Sequence, residues 1–173
     1  MPPVQLNNNH LPQTDAVKYL GFHLDRKLTW RNHISAKWKQ LDLRLRNRYW
    51  IIGRKSQLSL AKKLLVYKAI LKPIWTYGIQ LWGIASNSNI DILERFQSKV
   101  LRIITDPPFY VPNAVINHDL QVPSVRQEVR TYSFTYHARL EGHPNDLATS
   151  LLQQPPHNRR LKRYYLADIA TRF

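Results

Sequence analysis

The 173-residue chain has no cysteine, which excludes disulfides, cysteine-ligated zinc and thiol nucleophiles together and fits a reducing compartment. Its five glycines are scattered, so no glycine-rich phosphate loop can be assembled from them. Acids are scarce: 11 Asp or Glu stand against 26 Lys or Arg, and no two aspartates are adjacent. Two-metal phosphoryl transfer, which holds divalent ions between paired carboxylates, therefore finds no ligand set. The seven histidines never fall at i and i+4 around a glutamate, the spacing of helical zinc hydrolases. His118-Asp119 reads as local hydrogen bonding, because no nucleophile accompanies it. Apolar runs are short and broken by Lys or Arg, far below the ~20 residues of a membrane span. The stretch Met1–Asn7 has neither the basic nor the apolar region of a secretory signal. The expectation is a soluble, intracellular chain with no membrane partner, no small-molecule substrate, no metal or other cofactor, and no catalytic residue.

What is present is positive charge, unevenly spread. The formal net charge is +15, and the first 75 residues carry 15 Lys or Arg against three acids. Residues 76–173 carry 11 against eight. Between Arg26 and Lys72 a single acid, Asp42, stands among 14 basic residues. Such a one-signed field attracts polyanions and releases their counterions on binding. Tyr19, Trp30, Trp38, Tyr49, Trp50 and Tyr67 interleave with the basic residues, which favours nucleic acid as the polyanion. A merely solvated basic surface is the bland alternative.

Hydrophobic periodicity predicts a mainly α chain, with a small N-terminal β-hairpin followed by a helical bundle. Gln5–Asn9 offers turn residues between Val4–Leu6 and a strand over Val17–Leu24, in which Gly21 marks a bulge or close approach. A first helix is expected over about Trp30–Ile52, with Thr29 as N-cap, Gly53 as stop and a buried stripe of Ile34, Trp38, Leu41, Leu45, Tyr49 and Ile52. A second is expected from an N-cap at Ser56 to Lys72, ended or kinked by Pro73. A buried helical turn and an irregular link should follow over Ile74–Gly83, where Trp75, Tyr77 and Trp82 threaten an exposed apolar patch. Ser88 and Asp91 suggest a capping box for a third helix with the stripe Ile90, Leu93, Gln97, Val100 and Ile104. On another face Arg95, Lys99 and Arg102 form either a phosphate-contacting row or a solvated face with an Asp91–Arg95 pair. Ser124 and Gln127 cap a fourth helix, with the stripe Val125, Val129, Tyr132, Tyr136 and Leu140 and a stop at Gly142. The basic run Arg159–Tyr165 fits a nuclear import signal, a nucleic-acid tail or an exposed helix end equally well.

Several stretches then stand out in order: KYLG at Lys18–Gly21, LDRKLTW at Leu24–Trp30, GRKSQLSL at Gly53–Leu60 and KLLVYKAILKPIWTYGIQLWG at Lys63–Gly83. They continue into ASNSNIDILERFQSKVLRIITD at Ala85–Asp106 and YVPNAVINHDLQVP from Tyr110. Across nearly the whole chain these resemble the end of the palm, the thumb and the following region of jockey-type, non-LTR (LINE-type) retrotransposon reverse transcriptases. The resemblance implies a division into a palm-end hairpin (1–28), a basic helical thumb (29–106), a helical C-terminal region (107–154) and a basic tail (155–173). It implies RNA-directed DNA synthesis for the parent enzyme. The family's Ala-Asp-Asp signature and earlier palm aspartate have no counterpart here, so this chain alone is expected to be inactive, with Mg²⁺ implied only for the missing palm. It implies that Tyr19, Leu20 and Gly21 form a primer-grip-like turn, and that Lys18, Arg26, Lys27, Arg54 and Lys55, with Lys62 and Lys63, contact nucleic acid near that grip. The implied partners are RNA template, DNA primer and the palm, and the implied location is nuclear. The alternative is a stand-alone, element-derived binding or interaction module with no polymerase role; a basic structural protein of a ribonucleoprotein is disfavoured by the ordered motifs.

Overall fold

The computed structural model describes residues 5–6, 9–10 and 14–152; the basic run Arg159–Tyr165 lies outside them. Two short antiparallel pairs open the chain: β1 (Gln5–Leu6) with β2 (Asn9–His10), and β3 (Ala16–Tyr19) with β4 (Phe22–Asp25). Gln5–Leu6 thus pairs with Asn9–His10 rather than with the later strand, and Val17–Leu24 is not one strand. The chain reverses at Leu20-Gly21, whose φ angles of 45° and 79° are both positive, as a two-residue type I′ hairpin turn demands. Pairing runs in register from Ala16 opposite Asp25 to Tyr19 opposite Phe22. Leu20, unlike glycine, meets a steric cost at positive φ, and the Tyr77 hydroxyl donates to its carbonyl at 3.0 Å.

The hairpin hands over directly to α1 (Arg31–Ile52). The Asp25 carboxylate, at the end of β4, accepts from the Thr29 amide at 2.9 Å, the Thr29 hydroxyl at 2.8 Å and the Trp30 amide at 3.0 Å. Burial alone would raise its pKa, but the bonds from Thr29 and Trp30 hold it below the usual carboxylate range. Trp30, in left-handed backbone, holds the N-cap position in place of Thr29; Asp25 takes the two amides just before the helix, and the Thr29 hydroxyl accepts from the Arg31 amide at 3.4 Å. Of the predicted stripe, Ile34, Leu41, Leu45 and Ile52 are buried, whereas Trp38 and Tyr49 stay exposed. On a helical wheel Leu41, Leu45 and Ile52 stand within about 20° of Ile34, while Trp38 and Tyr49 stand about 40° and 60° from it. Gly53 ends α1 as expected, in extended rather than left-handed backbone.

The next helix departs most from expectation. Ser56 does not cap it; α2 (Leu60–Val66) starts after Ser59. The helix then widens into a π turn at Tyr67–Leu71 and continues as α3 (Lys72–Thr76), straight through Pro73. In a regular α turn the proline ring would clash with the carbonyl four residues back. The wider turn just before it, in which the Lys72 amide donates to the Tyr67 carbonyl five residues back, removes that conflict.

After Tyr77 the chain bends at Gly78 (φ 61°) into α4 (Ile79–Trp82). A Cβ at Gly78 would lie 2.2 Å from the Phe22 ring, so the hairpin can close on the bundle only over a glycine here. Phe22 also stacks on Tyr77 with ring centres 5.1 Å apart and packs on Trp30 and His33. Trp75 and Trp82 are buried rather than parts of an exposed patch; only Tyr77 remains half in solvent.

Three more elements complete the bundle: α5 (Asn87–Thr105), α6 (Asn113–Asp119) and α7 (Val125–Glu141). The α5 stripe is buried throughout, joined by Phe96 and Leu101. Its predicted Ser88–Asp91 box does not form: Ser86 is the N-cap residue, and Asp91 pairs with Arg126 at 2.5 Å. The Ser124–Gln127 box does form, with bonds of 3.2 and 2.8 Å. In α7 Val125, Val129 and Leu140 are buried with Ser133, Tyr136 is half-buried, and Tyr132 is exposed, against expectation. A short α8 (Asp146–Thr149) and a 3₁₀ turn (Ser150–Leu152) follow. α5 packs against α1 on one side and α7 on another, within one continuous hydrophobic cluster from Trp30 to Val129.

A polar bridge crosses this cluster. The Tyr67 hydroxyl donates to the Gln97 side-chain carbonyl at 2.8 Å, and the Gln97 amide donates to the Pro123 carbonyl at 2.8 Å. Burial pushes the Tyr67 hydroxyl well above its ordinary pKa. Gln97→Leu should destabilise the fold by about 2–3 kcal/mol, because both partners lose a buried bond. The combination with Tyr67→Phe should cost less than the sum of the single changes. Urea unfolding of the three variants checks this, and strictly additive losses would contradict the bridge.

His33, in the first turn of α1, is fully buried against the hairpin. Its Nδ1 accepts from the His23 amide at 3.4 Å. Burial, then the nearby charges of Lys37 and His23, push its pKa from 6.5 down to about 4. A folded-state pKa below the unfolded one means that the unfolded chain binds the extra proton. This stability is therefore present above pH 6.5 and lost as pH falls towards 4. Between pH 7 and 5 the loss should be at most about 2 kcal/mol, and His33→Phe should flatten that slope. An unchanged slope in the variant would assign the acid sensitivity to other groups.

Candidate nucleic-acid interface

The predicted contact residues separate into two groups at opposite ends of α1. At its start, Lys18, Tyr19, Leu20, Arg26 and Lys27 are all exposed on the hairpin and elbow, and Gly21 forms the turn. Lys37, on the first turns of α1, stands 5.2 Å from the Tyr77 ring centre. Burial and then the charge of Lys18 lower its pKa, so these two ammonium groups share one neighbourhood. At the far end of α1, about 30 Å away by helical rise, lie Arg54 and Lys55. They are not near the hairpin, contrary to the expectation that all these residues surround the grip.

Arg46, Tyr49, Trp50, Gly53, Arg54 and Lys55 line a cleft of about 710 Å³ at this far end. A second cleft of about 630 Å³ shares Tyr49 and Arg54 and adds Lys99, Arg102, Ile103 and Asp106. Arg54 forms an ion pair with Asp106, which caps α5 in left-handed backbone. Arg46 pairs with Asp42 at 2.6 Å, and Lys55 has no ion-pair partner among the described residues.

Lys62 is exposed at the start of α2. Its neighbour Lys63 is not on the surface: 7% exposed, it donates its ammonium to the Gly53 carbonyl at 3.0 Å and so satisfies the end of α1. The Arg95, Lys99 and Arg102 row is largely committed within the fold. Arg95 donates to the Asp91 carbonyl at 3.1 Å, Lys99 to the Asp42 carboxylate at 3.3 Å, and Arg102 to Asn113 at 2.8 Å and to the Val111 carbonyl. The Asp91–Arg95 side-chain pair is absent, since Asp91 faces Arg126.

Between the two groups, α1 shows a cationic outer surface. Arg31, Lys39, Arg44 and Arg46 are exposed, and the one acid of the helix, Asp42, is buried against Arg46 and Lys99. Burial would raise the Asp42 pKa, but bonds from Lys99 and Arg46 bring it below the ordinary range. Neither Arg46 nor Trp50 is among the predicted contact residues; Trp50 enters the sequence reading only as one of the interleaved aromatics. The signal was present for Trp50, which lies about 160° from Ile34 on the wheel, opposite the buried stripe. Among the described residues, no three His, Asp or Glu gather as a metal site, and no helix is long and apolar enough to cross a membrane.

Comparison with known proteins gives a consistent answer. Over 99% of its length the chain is 41% identical to a probable RNA-directed DNA polymerase from transposon X-element of Drosophila melanogaster. Over 93% it is 38% identical to a probable RNA-directed DNA polymerase from transposon BS of the same fly. Over 99% it is 36% identical to the RNA-directed DNA polymerase from mobile element jockey of Drosophila funebris. It spans 19%, 18% and 20% of these proteins, respectively. No family model and no solved structure matches. With such identity along nearly all of its residues, the chain belongs to the jockey-like, non-LTR transposon RNA-directed DNA polymerase family, of whose members it corresponds to about one fifth of the length.

Proposed function

We propose that this chain is the thumb-like part of an RNA-directed DNA polymerase and holds the RNA–DNA primer-template duplex through its phosphates. The observation that carries this reading is the outer surface of α1. Over 22 residues its only acid is buried and paired, while Arg31, Lys39, Arg44 and Arg46 face solvent, with Lys18 beyond one end and Lys55 beyond the other. Arg31, Lys39 and Arg46 stand within about 80° of one another on the wheel, with Arg44 on the opposite flank. A one-signed face of this kind can follow several successive phosphates, which repeat every ~3.4 Å along a strand. Contacts of this kind fix position and do not read sequence, as a polymerase that copies any template needs. In this reading the Tyr19–Gly21 turn supports the primer strand, and the catalytic aspartates and their Mg²⁺ ions belong to a palm contributed by the rest of the polymerase, acting in the nucleus.

The test is fluorescence anisotropy of the purified chain with an RNA–DNA primer-template across a salt series. Affinity should fall with salt at a slope equivalent to several phosphates, and Arg31→Ala with Lys39→Ala, on the α1 surface, should reduce that slope by about 2. Binding that is absent, or insensitive to both salt and the paired substitution, would refute the proposal. With Mg²⁺, nucleotides and primer-template added, the chain alone should give no extension above a heat-treated control; extension would refute the assignment of catalysis to another part.

A further inference from the structure

We infer that the cleft at the C-terminal end of α1 takes one unpaired nucleotide, its base stacked on Trp50 and its phosphates held by Arg46, Arg54 and Lys55. This rests on the reading of α1 as a phosphate-tracking surface and adds a second mode of contact to it. Phosphate tracking explains cations but not an indole that is 77% exposed, with Tyr49 half-exposed beside it. The bases of a duplex are stacked on one another and cannot use such a platform, whereas an unpaired base has a free π face. The cleft, about 710 Å³, falls within the usual range of small-ligand sites.

Two local features suit the site to an anion. The carbonyl end of a helix carries partial negative charge and by itself repels phosphate. Here the buried Lys63 ammonium sits on the Gly53 carbonyl and offsets that charge. Second, the Asp106 carboxylate lies on Arg54 much as a phosphate oxygen would. An incoming phosphate would replace it, so the guanidinium is held ready without being left unpaired. The ligand this selects is a single-stranded stretch that adjoins the gripped duplex, with little preference among bases because every base stacks.

The experiment compares two probes with the full chain at one salt concentration: a blunt RNA–DNA duplex, and the same duplex with a short unpaired RNA extension. The extended probe should bind roughly tenfold more tightly and quench tryptophan fluorescence. Trp50→Ala should abolish both the gain and the extra quenching while leaving blunt-duplex affinity unchanged. Trp50→Phe should keep most of the gain, because a ring is retained. Equal binding of the two probes, or a gain that survives Trp50→Ala, would overturn the inference; in that case Trp50 faces another part of the polymerase instead. If the blunt duplex still binds in a salt-dependent way, only the stacking site falls. If neither probe binds, the reading of α1 falls with it.

Discussion

Everything else in the bundle depends on the side-chain amide of Gln97. It sits in the middle of α5, buried, and uses both ends: its carbonyl takes the Tyr67 hydroxyl and its amino group gives to the Pro123 carbonyl. Apolar contacts alone would let α5 rotate or slide by small steps at little cost, whereas a buried polar group tolerates one arrangement. The bridge therefore fixes three segments against one another: the π turn, the centre of α5 and the loop that enters α7. Since α5 also packs on α1, the rotation of α1, and with it the direction of its cationic surface, is set from inside the core.

A second constraint is self-repulsion. With 26 basic residues against 11 acids, a compact state concentrates like charge and opposes its own folding. The acids are placed accordingly. Asp25 closes the entry to α1, Asp42 ties α1 to α5 through Lys99, Asp91 ties α5 to α7 through Arg126, and Glu128 draws Lys72 onto α7. These four negative charges each tie one segment to another, and the repulsion that remains is pushed outward, where a polyanion would relieve it.

The parts of this arrangement that sequence could show are the local ones. The limits of α1, the buried stripe of α5 and the Ser124–Gln127 box depend on residues within a few positions of each other, and periodicity or a cap motif captures them. The part played by Asp25 was not legible, because it is a strand residue that takes the Thr29 and Trp30 amides ahead of the helix, while Thr29 keeps the Arg31 amide expected of it, at a long 3.4 Å. The fate of Lys63 was hidden for a different reason: its partner, Gly53, lies in another element. The stripe of α1 was read too wide, since steps of three and four admit Trp38 and Tyr49, which stand at its margin. The candidate site was legible as a charge excess, and its division between the two ends of a long helix was not.

The π turn at Tyr67–Leu71 is one residue more than an α-helix would use over the same rise. Deleting any single residue there would restore regular hydrogen bonding at two prices in geometry. Pro73 would meet a carbonyl in its path, and α2 would turn by about 100° relative to α3. Lys63 would then swing away from the Gly53 carbonyl, and Tyr67 away from Gln97. The spacing between Lys63 and Lys72 is thus a fixed length in its own right. Drift can exchange side chains along this segment far more easily than it can lose or gain one residue, so chain length here carries structural information that no single amino acid does.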